Sequence, residues 1–268
     1  MKKLISSLAV ASLALCAGAA ETNELEKAES SGGFKASVTV DFVSDAMWRG
    51  TIYNDNPVWQ PSATVAYDAR ELGTVAVNVW ASLDLTHKRG TMNKSRRSCG
   101  LQEIDYTLSY ANSIGPVGVE AGHIWYTFPN DNGASDQDLY ATVSFDNPVA
   151  TPFASVYWNY SDTCGNDTSA VYFNLGLSRD FELTEELTLT PKATVGFGDH
   201  AYTNSKGGTE LTDQTLGLAA SYAINEHLSV GAQLNYTWTP SHTLRKEGYM
   251  GEGKDQILWG GVSVSIEF

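Results

Sequence analysis

Leu258-Trp259-Gly260-Gly261-Val262-Ser263-Val264-Ser265-Ile266-Glu267-Phe268, the last eleven residues, run to a terminal aromatic in a two-residue rhythm. Leu258, Val262, Val264, Ile266 and Phe268 fall on one side, and Ser263, Ser265 and Glu267 on the other. Successive side chains of an extended backbone project to opposite sides, so this period specifies a strand with one apolar and one polar face. The same rhythm runs back through the chain. Val38, Val40 and Phe42 oppose Ser37, Thr39 and Asp41. Val75, Val77, Val79, Ala81, Leu83 and Leu85 oppose Thr74, Asn78, Ser82 and Asp84. Ile104, Tyr106, Leu108 and Tyr110 oppose Glu103, Asp105, Thr107 and Ser109, and Leu228 to Trp238 repeats the pattern. No stretch of comparable length has a helical period.

Strand length decides the class. Strands of a soluble sandwich average about 5–6 residues, whereas several here reach about ten, enough to cross a bilayer at a tilt. Asp41, Asp84, Asp105, Glu120 and Lys192 sit mid-strand on polar faces, which a wet lumen tolerates. The apolar faces end in aromatics, with Tyr67, Tyr110, Phe145, Tyr222 and Phe268 expected at one end and Trp48, Trp158 and Trp238 at the other. That is the girdle pattern of a transmembrane barrel. Five short connections alternate with six longer ones, the first of them Gly50 to Asn56. The predicted fold is therefore all-β, an antiparallel up-and-down transmembrane β-barrel of about twelve strands. The segments 117–128 and 151–160 alternate less cleanly, which leaves open a bulge there or a strand count off by two.

The N-terminus defines the compartment. Lys2 and Lys3 precede an uncharged run from Leu4 to Cys16, then Ala17-Gly18-Ala19-Ala20. A basic start, a short apolar segment and small residues at the cut site make residues 1–19 a signal peptide, cleaved after Ala19 or Ala20. Leu15 before Cys16 argues against lipidation. Residues 20–33, rich in Glu, read as a flexible lead-in, and 34–268 as the barrel. The chain has 17 basic and 31 acidic residues, a net charge of −14, which disfavours nucleic acid as a partner. No later apolar run approaches the ~20 residues of a membrane helix. An exported chain of this kind belongs in the outer membrane of a Gram-negative cell, among lipid and lipopolysaccharide. The closing strand ending in Phe268 resembles the signal by which the barrel assembly machinery recognises its clients. With Cys16 removed, Cys99 and Cys164 remain, an even pair in an oxidising compartment, and both fall in long loops; a disulfide and two free thiols are both open.

The segment Val43-Ser44-Asp45-Ala46-Met47-Trp48-Arg49-Gly50, followed by Asn56-Pro57 and Gln60, resembles the opening of the TorF-like family of outer-membrane porins. Ser44, Asp45, Trp48, Arg49, Gly50, Pro57 and Gln60 match, while Ala46 stands where an aromatic is usual. The motif covers about a tenth of the chain. The resemblance implies a channel and no particular solute.

Asp45 and Arg49 lie four apart and are expected to share a face of the first strand, either as opposed charges at a constriction or as an ion pair ordering the first loop. On the inferred inward faces Asp41, Asp84, Glu103, Asp105 and Glu120 outnumber Lys192, a balance that favours cations in an open lumen. Lys88, Arg89, Lys94, Arg96 and Arg97 cluster in the second long loop, either as a lipopolysaccharide contact or as a solvated loop. His227-Leu228-Ser229 has the His-x-Ser spacing of an outer-membrane phospholipase, but it opens a strand at a short turn, where the required geometry is unavailable. The remaining histidines have no metal-ligand spacing, and no phosphate-cradling glycine motif occurs, so no cofactor or metal is expected. Passive passage of small hydrophilic solutes, with a preference for cations, is the leading function. A non-conducting structural or adhesion barrel with partner-binding loops is the alternative, a lipid hydrolase a remote one, and no enzymatic activity is expected.

Overall fold

The computed structural model describes residues 32–86, 100–129, 134–161, 169–203, 205, 207–241, 244 and 255–268. The expected signal peptide (residues 1–19), Cys99, Cys164 and the basic cluster Lys88, Arg89, Lys94, Arg96 and Arg97 lie outside the described residues.

Twelve long strands form the wall: β1 (Gly33–Val43), β4 (Val58–Asp68), β5 (Thr74–Asp84), β6 (Leu101–Ile114), β7 (Val117–Phe128), β8 (Ala134–Phe145), β9 (Thr151–Asn159), β10 (Ala170–Ser178), β12 (Leu187–Gly198), β13 (Glu210–Ala223), β14 (Leu228–Trp238) and β15 (Gln256–Glu267). Each pairs antiparallel with its neighbours, and β1 pairs with β15. Closure leaves the wall with no free edge for backbone groups to expose. Two-residue β11 (Phe181–Glu182) extends β12 at a turn, and the hairpin β2 (Ala46–Trp48) and β3 (Thr51–Asn54) lies apart from the wall. A short helix, α1 (His200–Thr203), precedes β13.

The alternation puts apolar side chains outside. Leu108, Leu234 and Val262 are each more than half exposed, while Thr142, Asn235 and Ser265, at opposite parity, are buried. Tyr67, Tyr110, Phe145, Tyr222 and Phe268 are exposed near the end with short turns, and Trp158 and Trp238 near the other. Trp48 is not in that outer band: it belongs to the β2–β3 hairpin and packs against Tyr126 and Tyr202. The segments of less clean alternation, β7 and β9, carry neither a bulge nor a change in strand count: both pair in unbroken register. Register shifts fall instead at Ser82/Leu83 and Gly196/Phe197 in the wall. What blurs the alternation of β7 is glycine and an aromatic at inward parity, Gly122 and Tyr126, not an extra residue.

Five short connections lie at the end where both termini meet, and there the backbone N–H of Phe268 donates to the Ala36 carbonyl at 2.9 Å. The strand ends joined by the six longer connections lie at the opposite end. The lumen below the hairpin is lined by small and hydroxylated side chains, among them Thr107, Ser109, Thr142, Ser155, Thr188 and Ser265. Several pair across strands, as Thr142 with Ser155 at 2.8 Å and Thr39 with Ser265 at 2.9 Å.

Candidate functional site

The first long connection does not lie over the barrel mouth. After β1 ends at Val43 the chain bends at Ser44-Asp45 and folds into the lumen as the β2–β3 hairpin. The sequence permits this because the hairpin carries both apolar and polar anchors. Met47 and Ile52 bury against Trp259 of β15, and Ala46 packs with Val43 and Val58. Tyr53 meets Phe128 of β7 at 6.3 Å between ring centroids. Asn54 donates to the Asp84 carboxylate at 3.1 Å and to the Gln102 side chain at 3.0 Å. At the tip, the Gly50 carbonyl accepts from the Thr239 hydroxyl at 2.8 Å. Gly50 has φ +78, and a Cβ there would come within 2.5 Å of Asp213, so only glycine lets the tip approach β13.

The tip residue Arg49 crosses the bore and enters a cage on the far wall. Its guanidinium donates to Asp138 of β8 at 2.7 Å and to the Tyr126 hydroxyl of β7 at 3.3 Å. The Tyr126 hydroxyl donates to the same Asp138 oxygen at 3.1 Å. The guanidinium carbon lies 3.9 Å from the ring centroid of Tyr157, 4.6 Å from Trp48 and 5.3 Å from Tyr172. The ion pair is fully desolvated, with side-chain exposures of 2% for Arg49 and 0% for Asp138. Burial works against the charge of Arg49, but Tyr126 and Asp138 outweigh it and hold its pKa above the ordinary arginine value. Tyr202 of α1 caps the cage by donating to the Arg49 carbonyl at 3.2 Å.

The cage is built from tyrosines at the inward parity of their strands. Tyr140, Tyr157 and Tyr172 pack in sequence across β8, β9 and β10, the first two stacked and the last tilted, with centroids 5.6 and 6.2 Å apart. Their hydroxyls reach acids: Tyr172 donates to Asp213 at 3.0 Å, and Tyr140 donates to Glu120. Inward glycines make room for them. A Cβ on Gly122 would lie 2.6 Å from the Tyr140 ring, and one on Gly196 would collide with the Tyr172 hydroxyl and Asp213.

The expected site residues are thus distributed in three groups. Asp45 and Arg49 do not share a face of one strand: Asp45 lies in the bend, while Arg49 is at the hairpin turn with φ +46 and pairs with Asp138. A four-residue spacing places side chains on one face only while the backbone stays regular, and the bend ends that. Asp41, Asp84 and Glu103 are buried at inward parity on β1, β5 and β6, with Asp105 beside them. Asp41 aligns with Gln60 across β1 and β4, and Ser82 with Glu103 across β5 and β6, so the carboxylates lie on one wall. Glu120 belongs to the tyrosine wall, and Lys192 lies 5.1 Å from the Phe153 ring centroid on β9. His227 stands in an exposed short turn with its ring 3.1 Å from the Glu267 carbonyl, and Ser229 points inward on β14. No group of three or more His, Cys, Asp or Glu side chains among the described residues is arranged to hold a metal.

Sequence reading missed Asp138, Asp213 and the four tyrosines 126, 140, 157 and 172. One signal was available. On β8 the outward parity is set by Leu139, Ala141, Val143 and Phe145, so Tyr140 is an aromatic out of phase, and β7 and β9 repeat this with Tyr126 and Tyr157.

Residues 27–257 match the family described as "Bacterial protein of unknown function (Gcw_chp)", and the chain belongs to that family. No curated protein matches it. Among solved structures it is similar to the NanC porin, at 11% identity and TM-score 0.51, over 86% of this chain and 98% of that one. It is also similar to the COG4313 outer-membrane channel from Pseudomonas putida F1, at 9% identity and TM-score 0.52, over 88% and 96%. At such identities the likeness is one of fold: a closed twelve-stranded antiparallel barrel of the outer-membrane type.

Proposed function

We propose that this Gcw_chp family member is a channel of the Gram-negative outer membrane for small hydrophilic solutes, cation-preferring, with the β2–β3 hairpin as its gate. The outward apolar band matches a lipid environment, and most inward side chains away from the hairpin and the tyrosine wall are polar or small, as a water path requires. The observation that carries the reading is the way the bore is obstructed. Below the hairpin the inward side chains are mostly hydroxylated or small, with Phe153 and Lys192 facing each other among them, and they do not form the interlocking apolar layers that fill a closed barrel core. At the hairpin a single loop spans the lumen, and its one charged tie to the far side is Arg49, beside the ring contacts of Trp48 and Tyr53. A loop anchored on the near wall through Met47, Ile52 and Asn54, and latched to the far wall by its tip, is an element that can have two positions. Asp41, Glu103 and Asp105 line the opposite wall, and carboxylates there attract cations and repel anions. Fold similarity to two proteins named as channels agrees with this reading.

The hairpin itself favours a second reading, since a bore spanned by buried side chains also suits a non-conducting structural or adhesion barrel. Planar-bilayer recording separates the two. The channel reading expects brief, cation-selective openings of the refolded full chain, and more of them when the hairpin's tie is weakened. No conductance from either wild type or an Asp138→Asn variant would overturn it and favour the structural barrel. The acidic wall takes part in neither reading as a catalyst, and we expect no lipolysis from Ser229, which Ser229→Ala would leave unchanged.

A further inference from the structure

The chemistry that holds Arg49 is that of a cation receptor. Aromatic faces of Tyr157 and Tyr172 flank the guanidinium, and a carboxylate and a phenol, Asp138 and Tyr126, face its N–H groups. Faces that attract a cation through their quadrupoles, joined to one carboxylate, select planar or alkylated organic cations over hydrated metal ions. These wall groups come from β7 to β10 and do not depend on the hairpin for their position: the tyrosines pack on one another, and Tyr172 is fixed by Asp213. Only Trp48 and Arg49 arrive with the hairpin.

Arg49 fills this cage incompletely. Asp138 uses one carboxylate oxygen, Oδ2, for both the guanidinium and Tyr126, while its Oδ1 has no hydrogen-bond partner among the described residues. The Arg49 Nε is likewise buried without a partner among the described residues. Arg49 also takes a left-handed backbone conformation, φ +46, next to Gly50 at φ +78. A guanidinium fork matches a carboxylate through two parallel bonds. Arg49 makes one of the two here, from Nη2 to Oδ2, and an untethered guanidinium can make both.

We propose that Arg49 is an internal stand-in for the channel's own solute, and that the cage of Tyr126, Asp138, Tyr157 and Tyr172 is a binding site for a guanidinium-bearing organic cation, which displaces the hairpin tip as it enters. This rests on the channel reading for its transport role, though not for the site itself. A free guanidinium competes with Arg49 for Asp138, so binding of solute and opening of the gate are one event.

The test uses methylguanidinium as probe, with methylammonium and urea as charged and planar controls. In binding, the refolded full chain carrying Arg49→Ala is titrated by calorimetry in detergent. Saturable methylguanidinium binding, stronger than for either control and weakened roughly tenfold or more by adding Asp138→Asn, is expected because the bidentate charge-assisted bond is lost. In transport, wild-type proteoliposomes of phosphatidylethanolamine and phosphatidylglycerol should take up methylguanidinium faster than methylammonium. Absence of saturable binding, or binding indifferent to Asp138→Asn, overturns the proposal. So does wild-type uptake with no preference for methylguanidinium, which would make the cage a socket for the tip alone. The wild-type arm decides the matter if Arg49→Ala does not refold. Ion conductance without guanidinium selectivity leaves the channel reading standing and removes this one, whereas specific binding in a barrel that never conducts does the reverse.

Discussion

Asp138→Asn should open the barrel without unfolding it. The Arg49–Asp138 pair is 2.7 Å long and almost wholly desolvated. Removing one partner of a buried pair leaves the other charge uncompensated and costs about 3–5 kcal/mol. Asparagine keeps an oxygen that can accept from Arg49, which places this variant toward the lower end of the range. At about 1.4 kcal/mol per decade, the docked-to-undocked ratio of the hairpin falls by roughly two to three and a half orders of magnitude. The wall is untouched, because the backbone pairing of β7, β8 and β9 does not involve the Asp138 side chain. The expected result is a large rise in the frequency of open events in planar-bilayer recordings, with unchanged heat-modifiable mobility on gels. The companion variant Arg49→Met with Asp138→Leu removes both charges, and a buried pair replaced by apolar groups of similar volume is close to neutral. Its open frequency should return to within about tenfold of wild type, the hairpin still being held by Met47, Ile52 and Trp259. If the single and double variants open equally, or if Asp138→Asn gates like wild type, the reasoning from an uncompensated charge is wrong.

Gly50→Ala places a Cβ within 2.5 Å of Asp213 at φ +78, so the tip cannot seat and bilayer open frequency should rise as it does for Asp138→Asn. Neutralising Asp41, Glu103 and Asp105 together should lower the potassium-over-chloride preference, read as a smaller reversal potential in a salt gradient, while changes to Lys192 move it the other way. Gly122→Val would press into the Tyr140 ring and the Leu108 carbonyl, and should lower the temperature at which the folded gel band is lost. Deleting Phe268 removes the bond from its N–H to Ala36 at the seam of β1 and β15, and should slow assembly, measured as folded band against time.

The barrel was legible because its signal is local. Alternation over ten residues sets the strand and both its faces, and the outward exposure of Val75, Val77, Leu108 and Val262 follows the parity read from sequence. Strand number followed from the alternation of short and long connections. Two misreadings share one cause. Placing Trp48 in the outer band and Asp45 beside Arg49 requires the first strand to continue past Val43, and nothing local distinguishes a strand end from a chain bending inward at Ser44-Asp45.

By itself, the sequence determined an all-β chain, its twelve wall strands, their inward and outward faces and the acidic character of the lumen, all of which depend on side chains two residues apart. Only the tertiary structure decided that the first long connection lies inside the bore and that Arg49 sits in a tyrosine cage. Those facts rest on contacts between residues distant in sequence: 77 positions from Arg49 to Tyr126, 89 to Asp138, and 189 between Gly50 and Thr239. Such partners come together only when the wall closes, and no period along the chain encodes which inward residue will face which across the lumen.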